Sequence, residues 1–299
     1  MKYSETALAW GGVVLAGALW GGGAPVAQQL MAGGMAPSSL TLVRFGLGLP
    51  LLLAWAAWQA GREASGARWR GLPWRTRALV LATGAAMALN VGCWFAAIGY
   101  LGAALPTVIA TCCAPLCVAL VSALRGYERV GPRLLLALAG ALAGTVLVVA
   151  PQGAGALSGA QWKGVAWSLG SAAMHALVVL GNARMPRAVS PLQASAWGMA
   201  VATGCAAAIA VWEGLTWPQG PAQWWGAGYT GVLTTAVAYL AFAWGARRLS
   251  PTAAGVGILV EPLVAAWLAA WWLGETLGPG QWAGALLLGV AILSVPRRS

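Results

Sequence analysis

Residues 255–275 read GVGILVEPLVAAWLAAWWLGE, an apolar run long enough to cross a bilayer, with one carboxylate, Glu261, beside one proline, Pro262, near its middle. Residues 108–128 read VIATCCAPLCVALVSALRGYE. Laid over each other without gaps, the two runs align Pro115 with Pro262 and Glu128 with Glu275. The same offset pairs Phe95 with Phe242 and Pro132 with Pro279, and a slightly larger one pairs Pro37 with Pro191. The change of offset falls in the loop 59–77, which is longer than its counterpart 213–224. The chain therefore reads as two copies of one unit, residues 1–150 and 151–299.

Composition says what surrounds that unit. With 60% hydrophobic and 8% charged residues, the chain has too little polar surface for a water-soluble globule and reads as an integral membrane protein. It has no Asp, and its six glutamates (Glu5, Glu63, Glu128, Glu213, Glu261, Glu275) are dispersed, which argues against acidic metal clusters and paired catalytic carboxylates. Five cysteines, Cys93, Cys112, Cys113, Cys117 and Cys205, lie inside apolar runs and read as buried thiols rather than disulfides or metal ligands. No cofactor and no metal are expected.

Ten apolar segments follow one another, at about 7–27, 38–58, 78–98, 103–124, 134–150, 162–181, 192–212, 225–246, 252–273 and 281–295. They are continuous rather than alternating, so they read as helices and not barrel strands. The first shows no cleavage site and reads as a retained span. The net charge of +11 resides in short loops, which makes it a report on topology and not on nucleic acid. One set of loops and ends holds Lys2, Arg62, Arg68, Arg70, Arg75, Arg77, Arg125, Arg129, Arg133, Arg184, Arg187, Arg247, Arg248, Arg297 and Arg298, while the opposite set holds only Lys163. This places both termini in the cytoplasm of a bacterial-type inner membrane. Five spans per unit invert the second copy relative to the first, so the fold class is an all-α integral membrane protein of ten transmembrane helices in two inverted five-helix repeats. That is a recurring transporter design with the substrate near the midplane. Gly17 with Gly21 and Gly140 with Gly144 read as helix packing and not as dimerisation, and no oligomer is required. Trp58, Trp162, Trp212, Trp224, Trp225, Trp271 and Trp272 stand at span ends as interfacial anchors, whereas Trp20, Trp94 and Trp244 read as mid-span.

Several short segments resemble one family. Glu261-Pro262-Leu263, the closing Leu273-Gly274-Glu275, Pro279 with Gln281, the echo Ala114-Pro115-Leu116 with Glu128, and PSSLTLVR at 37–44 are together similar to the drug/metabolite transporter superfamily, specifically its EamA-type exporters. The length, the Trp-rich spans and a histidine in the sixth span most resemble the inner-membrane aromatic amino acid exporters. The first half departs from the pattern with Ala114 where the second half has Glu261, so no symmetric pair of acidic sites exists.

Ionisable groups inside spans are costly and therefore candidates for function. Glu261, near a midplane, is either a proton or cation site or a hydrogen-bonded packing residue, and Pro262 deprives the preceding turn of a donor. Arg44, about a turn and a half inside the second span, either snorkels or anchors structurally, or attracts a substrate carboxylate. His175 aligns within a residue of Trp20, so the two should face one central region, with His175 either a neutral imidazole hydrogen-bonded inside the bundle or a substrate contact or proton sensor. Asn90 and Trp94, one turn apart, and Tyr239 complete the expected binding set. The resulting expectation is an exporter of amino acids, aromatic ones included, working by alternating access around a cavity formed by the first, third, fourth, sixth, eighth and ninth spans. Its partners are a small amphipathic solute and the bilayer. Export of lipophilic cations is the second reading. A membrane enzyme or scaffold is more distant: the residues for hydrolysis or phosphate cradling are missing, and a scaffold needs no repeat.

Overall fold

The computed structural model describes residues 2–62, 69–102, 104–126, 131–149, 158–272 and 279–294. Among them every regular element is helical. In chain order these are α1 (Lys2–Ala32), α2 (Pro37–Arg62), a 3-10 turn (Trp69–Gly71), α3 (Trp74–Leu101), α4 (Ala104–Leu124), α5 (Pro132–Val149), α6 (Gly159–Arg184), α7 (Pro191–Glu213), α8 (Gly220–Gly231), a π-helical segment (Val232–Val237), α9 (Ala238–Ala246), α10 (Pro251–Gly257), α11 (Val260–Trp272) and α12 (Pro279–Ser294). Glu63, Glu128 and Glu275, with the 273–275 motif and the far ends of the fifth, ninth and tenth runs, lie outside the described residues. So do Arg68 and Arg129.

Six described helices are long and apolar enough to cross a membrane: Glu5–Ala32, Pro37–Gln59, Trp74–Leu101, Gly159–Arg184, Pro191–Glu213 and Gly220–Ala246. Ile109–Leu124 and Pro251–Val264 are shorter apolar helices. The helices start and stop where local chemistry dictates. Ser158 with Gln161, and Ser190 with Gln193, form reciprocal capping boxes at α6 and α7. Gly102 and Gly214, both at positive φ, close α3 and α7.

Two of the sequence runs are not single α-helices. The eighth is α8, the π segment and α9 in succession. The ninth breaks at Ile258 and Leu259. Pro262 has no N–H to give the Ile258 carbonyl, and the Glu261 N–H takes that place at 2.9 Å, so the chain tightens immediately before the proline. Most of the remaining runs extend a few residues beyond the apolar core.

Packing pairs the helices in a regular way. α3 lies against α6 and α7, α4 against α6, α1 against α9 and α11, α2 against α7 and α8, and α5 against α12. The contacts of α1 with α9 and α11 parallel those of α6 with α3 and α4, and the contact of α2 with α8 parallels that of α7 with α3. A pair of glycines shows this at atomic level. A Cβ on Gly84 of α3 would stand 2.6 Å from the Gly198 carbonyl and 2.7 Å from Val201 of α7. A Cβ on Gly231 of α8 would stand 3.0 Å from the Arg44 carbonyl and 2.6 Å from Leu47 of α2. Gly84 and Gly231 are separated by the offset that relates Pro115 to Pro262, and Arg44 and Gly198 by the one that relates Pro37 to Pro191. Phe45, Phe95 and Phe242 fill the core between these crossings.

Loops clasp at both ends of the bundle. At one end Ala36 N–H donates to Thr216 Oγ1 and Thr216 N–H to Ser39 Oγ, joining the loops after α1 and α7. At the other, Arg247 donates to the carbonyls of Val189 and Pro186, and Leu72, Val80, Met185 and Val189 form a small apolar cluster. Trp58, Trp162, Trp212, Trp224 and Trp225 are exposed at helix ends. Trp244 is not a mid-span residue: it sits in the last turn of α9, with the Arg248 guanidinium 4.1 Å above its ring. The five cysteines were expected as buried thiols, but only Cys112 is buried, and Cys93, Cys113, Cys117 and Cys205 are half-buried.

Close glycine crossings make a measurable demand. Gly84→Ala should lower the melting temperature in detergent, by about 1–3 kcal/mol of stability from overpacking. Gly204→Ala, whose Cβ meets nothing within 4 Å, should be neutral or stabilising. Equal melting temperatures for the two variants would show that the α3–α7 crossing tolerates separation.

Candidate functional site

A cavity of ≈ 50 Å³ lies in the middle of the bundle and is lined by Trp20, Arg44, Asn90, Val91, Trp94, Ala110, Thr111, Ala114, Ser171, His175, Tyr239, Ile258 and Glu261. All seven residues singled out in the sequence are in this one lining. Helical spacing explains the local pairs: Asn90 with Trp94 on α3, and Ser171 with His175 on α6, stand four residues apart and so share a face. The α3–α6 contact then turns both faces toward the same space.

The polar groups of these residues are largely engaged. Asn90 Nδ2 donates to the Ser171 carbonyl and to Ser171 Oγ, each at 3.0 Å, which pins α3 to α6. Trp94 Nε1 donates to Thr107 Oγ1 of α4 at 3.1 Å. Both hold neighbouring helices as well as facing the cavity.

The centre of the network is a backbone carbonyl. In the π segment the Ala238 N–H donates to the carbonyls of Leu233 and Thr235, passing over Thr234, the partner an α-helix would give it. The Thr234 carbonyl accepts instead from Trp20 Nε1 at 2.8 Å and from Arg44 Nη2 at 3.0 Å. Arg44 Nε donates to Thr235 Oγ1 at 2.6 Å, and the Thr234 and Thr235 hydroxyls both donate to the Thr230 carbonyl at 2.7 Å. The Arg44 guanidinium lies 5.9 Å from the centre of the Phe95 ring.

Arg44 therefore does not snorkel. It is 4% exposed and turned inward, which places α2 on the cavity wall beside the six spans expected there. The structural contacts of the side chain are therefore made from a position on the cavity wall.

An aromatic corner closes one side. Trp20 meets His175 edge-on at 5.7 Å between ring centres and an interplanar angle of 90°, and meets Tyr239 at 5.2 Å. Phe242 backs this corner, 5.5 Å from Trp20 and 6.0 Å from His175. His175 Nε2 is buried and has no hydrogen-bond partner among the described residues. A buried polar atom without a partner is uncommon in folded proteins. Glu261 enters from the first turn of α11, where a carboxyl suits the positive end of the helix dipole, and it is an electrostatic neighbour of Arg44.

Thr230, Thr234, Thr235, Ser171 and Thr107 escaped the sequence reading, which weighed ionisable and aromatic groups first. The cluster Thr230, Thr234, Thr235 was visible as hydroxyls in an apolar run, but nothing local marks the π insertion that gives it a role.

Residues 8–150 and, separately, 162–295 match the EamA-like transporter family. A solved crystal structure superimposes with a TM-score of 0.77, covering 98% of this chain and 96% of the other at 20% identity, a likeness that concerns the fold alone. No curated protein sequence matches the chain.

Thr235→Val keeps the shape of the side chain and removes the acceptor of a buried guanidinium, so it should cost about 1–3 kcal/mol in detergent melting. Thr234→Val leaves the Thr234 carbonyl in place and should cost clearly less. Equal losses would mean that the Arg44 contact to Thr235 Oγ1 does not hold the π segment.

Proposed function

The chain belongs to the EamA-like transporter family, and from that membership we propose that it exports amino acids, aromatic ones included, by alternating access between two inverted five-helix repeats. The observation that carries the substrate reading is the unpartnered His175 Nε2 in a corner of Trp20, Tyr239 and Phe242, facing a cavity that Arg44 and Glu261 also line. Aromatic rings favour edge-on and offset contacts with one another, which suits an aromatic side chain at Trp20, Trp94 and Tyr239. A guanidinium and a carboxyl on the same cavity match the opposite charges of a zwitterion. Asn90 contributes polarity to the wall and Glu261 is the candidate for coupling to protons.

The repeat reading is supported by the two separately matched stretches, by the counterpart helix contacts and by the Gly84 and Gly231 crossings. The arginines of the loops around 70–77, 184–187 and 247–248 support cytoplasmic termini in an inner membrane. Alternating access is supported by size. An apolar cavity of about 150 Å³ is needed for a benzene ring, so a space of ≈ 50 Å³ accepts a few waters, and an amino acid enters only when the walls part. The protein works as a monomer in this reading.

Lipophilic cations are the second reading, since Trp20, Tyr239 and Glu261 present aromatic faces and a carboxyl. The Arg44 guanidinium in the same lining weighs against a permanent cation.

Proteoliposomes containing the full chain should take up labelled phenylalanine saturably, with a quaternary ammonium probe excluded. Trp20→Ala and His175→Ala should each raise KM about three- to tenfold, the worth of one aromatic contact. An imposed pH gradient that changes steady-state accumulation identifies proton coupling, and a change in rate alone identifies a facilitator. Saturable cation uptake without amino acid flux would reverse the order of the two readings.

A further inference from the structure

A second and larger space lies outside the central cavity. It has a volume of ≈ 220 Å³ and sits between α2, α3, α6 and α7, behind the wall that Asn90 forms. Along α3 it follows Ala88, Gly92 and Ala96, which recur every four residues and leave a groove where larger side chains would pack. Leu89, Trp167 and Ile209 flank it and are exposed on the outside of the bundle. A Cβ placed on Gly92 would meet no atom within 4 Å, so the groove at that point is open.

One polar group inside is unexplained. Ser38, 6% exposed, lines the cleft at the first turn of α2, and its hydroxyl is buried with no hydrogen-bond partner among the described residues. Its neighbour Thr41, also in the lining, donates to the Pro37 carbonyl and needs nothing more. The only carboxyl in the lining, Glu213, is exposed at the end of α7.

We propose that this cleft binds one acyl chain of a bilayer glycerophospholipid, with the lipid ester carbonyl accepting a hydrogen bond from Ser38. Three observations select that occupant. The flanking residues face outward from apolar spans, where the surrounding medium is hydrocarbon. The depth fits: Trp212 and Trp217 are exposed at this end and mark the interface, and Ile209 and Ala206 stand four and seven residues before Glu213, about 6 and 10 Å below it at ~1.5 Å per residue. The volume exceeds the about 150 Å³ that holds a benzene ring, which leaves room for a run of methylenes. The Ser38 hydroxyl then lies at the glycerol level, above the buried chain. The inference does not depend on which solute crosses the central cavity.

The test uses the full chain in nanodiscs containing phosphatidylcholine with a diazirine on one acyl chain. After illumination, mass spectrometry should place adducts on peptides covering 88–96 and 206–213 well above those on α5, where Leu135 and Leu136 are simply exposed to lipid. Gly92→Leu fills the groove and should return cleft labelling to the α5 level, and Ser38→Ala should reduce it. Cleft labelling no higher than α5 labelling in the unaltered protein would overturn the proposal, as would undiminished labelling in Gly92→Leu. If that variant fails to melt cooperatively, the comparison of cleft with α5 in the unaltered protein decides alone.

Discussion

The Thr234 carbonyl is passed over by the Ala238 N–H that an α-helix would give it, and the centre of the bundle depends on what takes that donor's place. In hydrocarbon a backbone carbonyl without a partner costs several kcal/mol, so a π insertion survives only where other groups supply donors. Trp20 from α1 and Arg44 from α2 do so together. Three segments distant in sequence are thereby tied at one atom, and the two side chains that tie them also line the cavity. Removing the insertion would return the carbonyl to its helix and release both.

The second interruption works by a related principle. Pro262 cannot donate to Ile258, and the Glu261 N–H fills in, so the chain breaks between α10 and α11 one step before the proline. The break puts Ile258 and Glu261 on the cavity and leaves Glu261 in the first turn of α11. Irregular backbone at this depth is tolerated because it borders protein and a polar cavity rather than lipid. Both interruptions fall in the second half of the chain, whereas α3 and α4, their counterparts, are each continuous helices. The interruptions are therefore confined to residues 151–299, although several helix contacts recur in both parts of the chain. The absence of a carboxyl at Ala114 belongs to the same difference: the carboxyl of the cavity comes from residues 151–299 alone, as Glu261, and the guanidinium from residues 1–150, as Arg44.

Close packing supplies the rest. Gly84 against Gly198, and Gly231 against Arg44 and Leu47, let backbones approach where lipid offers no hydrophobic drive between helices. The cleft outside Gly92 is the counter-example, a place on the same helix where a missing side chain opens space instead of closing it.

Much of this was legible in the chain itself. Apolar runs of bilayer length, prolines and phenylalanines at constant offsets, and arginines confined to alternate loops specified the helical membrane fold, because length, hydropathy and charge act locally and leave their pattern in order. The seven polar and aromatic residues inside the runs were likewise visible, since burying such groups in lipid demands a reason. Their partners were not. Whether Arg44 snorkels or turns inward depends on Thr235 and on a carbonyl freed about 190 residues away, and Trp244 read as mid-span only until the end of α9 and Arg248 were located. A run of hydropathy states that a helix exists; where its hydrogen-bond ladder slips, and which side chain from another span meets the gap, is decided only when the helices pack.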